Sequence, residues 1–311
     1  MKSAILTTRG NSCRTVFLLF FIIVVGGFMT GLNGCKEDTD EFTGPCNGDV
    51  PEYCNHKYNE HTYAGTHNSF AYTPVYSNII ANQRHSISQQ LQNGIRCINL
   101  DVYLLVGDAY CTDSAVYVYH NFPGFGCQFF TDVLGEIKTF IDANPNEVVT
   151  ITIEDTNLDM DQLALAFSQA NLTNYQYQKQ QGQPWSTLGE MIQSNKRLVV
   201  FADISNPGQI PGFFRNWNYI FDNPYSAENR YDFSCSLNRG NTANDLFLLN
   251  HFITVITPRP DSAAVVNTRA SLAQHIEDCK TAFGRLPNFI YVDFYDVGDL
   301  LSITDSLNRA R

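Results

Sequence analysis

Apolar and polar residues alternate along most of the chain in short blocks. Eight runs rich in β-branched and aromatic residues read as strands: 62–67, 94–103, 115–120, 147–154, 197–203, 218–222, 246–253 and 288–295. Between several of them the apolar spacing lengthens to that of a helix. The stretch 130–143 puts Val133, Leu134, Ile137, Phe140 and Ile141 on one stripe. Further helical candidates are 84–93, 160–170, 187–195, 261–283 and 298–309. Strands alternating with helices predict parallel βα units. Eight such units in about 250 residues predict an α/β fold, a single-domain (β/α)8 (TIM) barrel. An open doubly wound sheet is the competing arrangement. No GxGxxG or GxxxxGK[ST] follows any run, which disfavours its nucleotide-binding form. Segment 223–245 is polar, rich in Asn and Arg, and without period, so a long loop over one face is predicted there.

The first 34 residues do not belong to that pattern. Lys2, Arg9 and Arg14 precede an apolar run from Val16 to Met29, with no acid among them. A basic start before a short apolar run is an export signal, and the run falls short of the roughly 20 residues of a membrane span. Leu32-Asn33-Gly34-Cys35 resembles a bacterial lipobox, whose cysteine is lipidated and becomes the first mature residue. Ordinary signal cleavage nearby is the alternative. Either way the chain is extracytoplasmic, secreted or anchored through Cys35. The predicted organisation is a signal peptide at 1–34, an extension at 35–60 and the barrel at 61–311.

Composition narrows the function. Lys and Arg number 20 against 31 Asp and Glu, a net charge of −11. Removing the signal takes away three basic residues and no acid, so the mature chain is more acidic still. Such a surface repels nucleic acid phosphate. Hydrophobic residues at 44% and charged ones at only 16% exclude a disordered chain and call for a large core. Part of the aromatic surplus falls in loops, at Phe122, Phe125, Phe129, Phe213, Phe214 and Trp217, where it can cover the barrel mouth or meet a lipid surface.

Seven of the nine cysteines lie beyond Cys35 and should mostly pair after export. Cys46 and Cys54 bracket a short loop, Cys111 and Cys127 flank the third run, and Cys235 and Cys279 remain. Cys97, inside an apolar strand, reads as a buried free thiol. A zinc site is the rival use of these cysteines, but no CxxC spacing exists.

Polar residues gather where the first four runs end, which in a barrel is where chemistry sits. The runs end in Thr66-His67-Asn68-Ser69, Asn99-Leu100-Asp101, Tyr119-His120-Asn121 and Ile153-Glu154-Asp155. Strand alternation puts Cys97, Asn99, Asp101 and Tyr103 on one face and Thr150, Thr152 and Glu154 on another. A single histidine or aspartate at a strand end is usually structural, a hydrogen-bonded or capping residue. Four in series are costly to bury without purpose. Two histidines suit general acid–base catalysis near neutrality, and the carboxylates and amides offer the hard oxygens that Ca²⁺ takes.

The motifs at 65–69 (GTHNS), 94–101 (GIRCINLD), 118–120 (VYH) and 151–155 (ITIED) resemble the X region of phosphatidylinositol-specific phospholipase C. The stretches 143–151, 184–192, 233–240, 246–252 and 288–296 are similar to secreted phosphodiesterases with an X-type domain. The resemblance implies a TIM-barrel phosphodiesterase acting on a phosphodiester such as a phosphoinositide or glycerophosphodiester. It implies catalytic roles for His67 and His120, and metal-ligand positions at Asn68, Asn99, Asp101 and Glu154. Asn99 stands where the family has an acid, which weakens the implied Ca²⁺ site. The arginine that metal-independent bacterial members carry near the position of Asp101 is missing. Asp293 is predicted either to orient His67 or to cap the last helix. Asn250, His251 and Asp203 are strand-end residues for which a structural role is the simpler reading. A barrel that binds inositol or sugar phosphates without turnover is the non-enzymatic alternative, and a glycoside hydrolase using Asp101 and Glu154 is a third.

Overall fold

The computed structural model describes residues 44–311 apart from 49, 121, 205–209 and 256. The signal peptide, Cys35 and Asn121 lie outside the described residues.

Eight short apolar strands run parallel. They are β1 (Tyr63–Thr66), β2 (Cys97–Leu105), β5 (Val149–Thr156), β6 (Leu198–Ala202), β7 (Phe213–Arg215), β8 (Ile220–Asp222), β9 (Leu246–Asn250) and β10 (Phe289–Val292). The ladder runs β7-β6-β5-β2-β1-β10-β9-β8. Among the described residues no ladder joins its two ends. The four-residue helix α5 (Asn216–Tyr219) links β7 to β8 instead. The curled sheet is thus an incomplete barrel, open at one seam.

Two expectations change. The run 115–120 is not a barrel strand. It forms β3 (Ala115–Val118), antiparallel to β2, with β4 (Gln128–Phe129) beyond it. Its alternation is that of a strand, and alternation says nothing about direction. The missing parallel strand is β7, so Phe213 and Phe214 are wall residues and not a loop cover.

The inner face of the barrel is layered. At the base Tyr63, Phe201, Phe214 and Phe289 meet Tyr58 and Trp185, which pack against each other at 4.8 Å. Tyr58 and Thr150 share a hydrogen bond of 2.6 Å. Above them Tyr291 spans the interior to Thr152 at 2.5 Å and Cys97 at 3.3 Å. A β-carbon on Gly65 would lie 2.7 Å from the Tyr291 ring, so only glycine lets that ring cross. Gly65→Ala should cost about 1–3 kcal/mol of unfolding free energy, read by urea denaturation. Unchanged stability would refute the packing argument.

Outside the barrel, Ile98, Leu100 and Val102 of β2 pack with helices α1 (Ile87–Gln92), α2 (Phe130–Ala143) and their neighbours. The stripe predicted for 130–143 is buried in α2. Helices α3 (Met160–Gln169), α4 (Leu188–Gln193), α6 (Pro260–Val266), α7 (Arg269–Phe283) and α8 (Leu300–Arg309) complete the layer. Residues 223–245 hold no helix or strand and loop over the rim, as their composition predicts. Cys46–Cys54, Cys111–Cys127 and Cys235–Cys279 are disulfides, and Cys97 is free and buried. Three disulfides fit an oxidising, extracytoplasmic location.

Candidate active site

Where β1 ends, the His67 N–H still donates to Val292 O of β10, so His67 continues the inward series of Tyr63 and Gly65. Asn68 then turns into the left-handed region at φ 45°. Its backbone N–H is held by Asn99 Oδ1 at 2.9 Å. His67 Nδ1 lies 2.9 Å from Asp293 Oδ1, just past β10. A carboxylate only accepts, so Nδ1 carries the hydrogen and proton exchange goes through Nε2. Phe252 stacks flat on the imidazole, 3.8 Å between centroids at 6°. Burial pulls the His67 pKa down. The charge and hydrogen bond of Asp293, helped by Glu154 and Asp101, outweigh it and raise the value above that of an ordinary histidine.

His120 arrives differently. β2 runs on past the rim, and β3 returns antiparallel beside it, with Val118 opposite Val102. The Tyr119 N–H donates to Asp101 O, and His120 Nδ1 then meets Asp101 Oδ2 at 2.9 Å. Opposite Asp101 the β2–β5 ladder slips. Leu100 pairs with Ile153 but Val102 with Thr156, a bulge of one extra residue on β5 at Glu154. Bulges of this kind re-aim side chains at barrel rims.

Glu154 does not stand alone. Arg239, from the long loop, donates Nη2 to Glu154 Oε1 at 3.3 Å and to Asp222 Oδ2 at 2.5 Å. Its Nε also reaches Asp222 Oδ2 at 2.9 Å. Burial raises the Glu154 pKa, Arg239 opposes and Asp101 adds, with a net rise. Burial alone would lower the Arg239 pKa, yet Glu154 and Asp222 raise it. Trp217 and Tyr225 lie against the guanidinium at 4.1 and 4.9 Å. The loop is seated by Gly240 at φ 78°, where a β-carbon would lie 2.2 Å from Ile220 O.

These groups line one cleft of about 560 Å³. His67, Asn68, Asp101, His120, Glu154 and Asp293 all face it. Asn99 does not. It is fully buried, and its oxygen is spent on the Asn68 backbone. The four residues expected to hold Ca²⁺ therefore do not assemble as a cage. Glu154 is bound to a guanidinium and Asp101 to His120. Among the described residues the one cluster of three His, Cys, Asp or Glu side chains close enough to share an ion is Cys235, His275 and Cys279, two of which form a disulfide. The residues present do not fit calcium.

Of the remaining expectations, Asp293 touches His67 and does not cap α8, whose N-cap is Asp299. Asn250 lines the cleft and donates to Asp222 at 3.1 Å. His251 pairs with His275 behind the wall, and Asp203 accepts from Trp217. Sequence reasoning missed Arg239, Asp222, Phe252 and Asn82. Asp222 ends the run 218–222 and carried the same strand-end signal as Asp101. Arg239 sits in a loop whose seating is not visible in spacing.

A family model, PI-PLC X 1, matches residues 53–308. A PI-PLC X domain-containing protein of Arabidopsis thaliana is 29% identical, covering 89% of this chain and 73% of its own length. PI-PLC X domain-containing protein 1 of Arthroderma benhamiae is 30% identical, covering 85% and 89%. Among solved structures, the phosphatidylinositol-specific phospholipase C of Listeria monocytogenes aligns over 83% of this chain and 95% of its own at 17% identity. Its TM-score is 0.51, a likeness of fold.

Proposed function

The chain belongs to the PI-PLC X family, and from that premise we propose that it is an exported phosphoric diester hydrolase or lyase of the phospholipase C type. The observation that carries this reading is the pairing of two histidines, each with its own carboxylate, across one cleft: His67 with Asp293 and His120 with Asp101.

In this reading the phosphodiester lies between the two rings. His67 Nε2 takes the proton of the attacking hydroxyl, and Asp293 stabilises the imidazolium that forms. The hydroxyl oxygen bonds to phosphorus as the ester bond to the leaving oxygen breaks. His120 donates its Nε2 proton to that oxygen. When the nucleophile is the 2-hydroxyl of an inositol head group, the product is a cyclic phosphate; when it is water, a phosphomonoester. Arg239 is the only lysine or arginine lining the cleft among the described residues, and it meets the phosphoryl charge. Calcium has no part in the reading, because Asn99 is buried away from the cleft and the Glu154 and Asp101 carboxylates are engaged by Arg239 and His120. Anchoring through a lipidated Cys35 belongs to the same proposal.

A substrate panel with and without EDTA tests it. Phosphatidylinositol or a glycerophosphodiester should be cleaved at a rate EDTA leaves unchanged. A 4,5-bisphosphorylated head group should react about tenfold slower or worse, since Asp222 and Glu154 already hold the cleft's cation and repel added phosphates. No product from any phosphodiester would sink the reading. Saturable binding without product would point to a phosphate-binding barrel instead.

A further inference from the structure

Asn82 lies between β1 and α1, in a segment with no recognisable motif, and is almost fully buried. Its side chain nevertheless touches the cleft's central pair. Asn82 Nδ2 donates to Asp293 Oδ1 at 3.0 Å, the same oxygen that His67 Nδ1 reaches at 2.9 Å. It stands 3.5 Å from His67 Nδ1. On its other side Asn82 Oδ1 accepts from Asn68 Nδ2 at 3.3 Å.

The orientation of this amide has one solution. Turning it over would set an oxygen against the Asp293 carboxylate and a nitrogen against the Asn68 nitrogen. The backbone is fixed as well. Asn82 N–H donates to Ala71 O, and Phe294 N–H donates to Asn82 O, each at 2.8 Å. The next side chain, Gln83, donates to His67 O and Val292 O. The segment therefore ties the turn after β1 to the turn after β10, the two places from which His67 and Asp293 come.

We propose that Asn82 is a positioning residue for this pair: it holds the Asp293 carboxylate and the Asn68 amide in place around His67, and shares Asp293 Oδ1 with the ring. The role rests on the reading of His67 as proton acceptor. A carboxylate in a poorly hydrated wall needs several donors. Asn82 supplies one that never titrates. By bonding the same oxygen it fixes the direction from which Asp293 meets the ring.

Asn82→Leu keeps the volume and removes both hydrogen bonds. In the folded variant the His67 ring should lose its fixed setting: its ring-proton NMR signals at pH 8 should shift and broaden, and kcat should fall about 10- to 100-fold with little change in KM. Asn82→Ala leaves room for a water to donate instead, so both effects should be smaller. Unchanged His67 ring signals in folded Asn82→Leu would overturn the proposal, and so would an equal rise in KM in place of the fall in kcat. The NMR readout needs no turnover. If the His67 signals change as expected while no phosphodiester is cleaved even by wild type, the positioning role stands and the hydrolase reading falls.

Discussion

Alanine at His67 or His120 should slow phosphodiester cleavage about 10²- to 10⁴-fold, and the double variant should be little worse than the poorer single one. In the proposed mechanism both rings serve the same bond exchange, so losing one removes most of what the other contributes. The two play opposite parts in the proposed mechanism. His67 must be neutral to accept a proton, and Asp293 raises its pKa above the ordinary histidine value of about 6.5. Activity should therefore fall on acidification while still above that pH. Asp293→Asn keeps the shape and removes the charge. The acid limb should then move to lower pH, along with a drop in rate. Wild-type activity in both alanine variants, or a limb that Asp293→Asn does not move, would defeat the mechanism.

The second large effect is on stability. His251 and His275 face each other at 2.8 Å with Phe233 stacked over both. His251 Nε2 lies 2.8 Å from Val266 O, so it carries the hydrogen there and accepts at Nδ1 from His275. Protonating either ring places a charge in a buried site, and at His251 Nδ1 it also breaks the hydrogen bond from His275. Burial pushes His251 down to about 3, with His275 adding to it. Burial likewise pushes His275 down to about 4. In the unfolded chain both titrate near 6.5. The folded state thus prefers the neutral forms. The pair's stability contribution is full above about pH 6.5 and is lost as pH falls. Between pH 7 and pH 5 the loss is about 2 kcal/mol per ring, about 4 kcal/mol together. His56 and His61 act in the same direction, and His67 in the opposite one. Urea denaturation of wild type at the two pH values, set against His251→Gln/His275→Leu, isolates the pair. The variant should show the shallower slope whatever its stability at pH 7. Equal slopes would show that the pair does not titrate as described.

Much of the fold follows from short-range pattern. Seven of the eight parallel strands fall on runs that stand out by composition, with β2 and β5 each running two residues past theirs, and the helical stripe of α2 is plain from Val133 to Ile141. What pattern does not carry is direction and partner. The alternation in 115–120 is real, yet the strand runs antiparallel to β2 after a loop that begins at Val106, and alternation carries no direction. β7 is three residues long, too short for any period to appear. At the site, His67, Asp101, His120 and Glu154 were legible because each closes an apolar run. Asn99 closes one too, but the turn at Asn68 consumes its oxygen, and that turn depends on a backbone angle. Arg239 and Asn82 come from irregular segments. Only the folded chain brings them to the cleft.

The hairpin that carries His120 has a mechanical consequence. His67 is rooted in the wall, between two strands and beneath a stacked phenylalanine. His120 stands where the β3 arm returns to the rim beside Asp101, an arm braced by the Cys111–Cys127 bond and by the Tyr103–Tyr119 and Tyr117–Phe129 ring pairs. Cutting that one brace leaves the barrel whole while giving the arm play. Loss of that single bond would loosen the support of the second histidine while the first stays anchored in the wall.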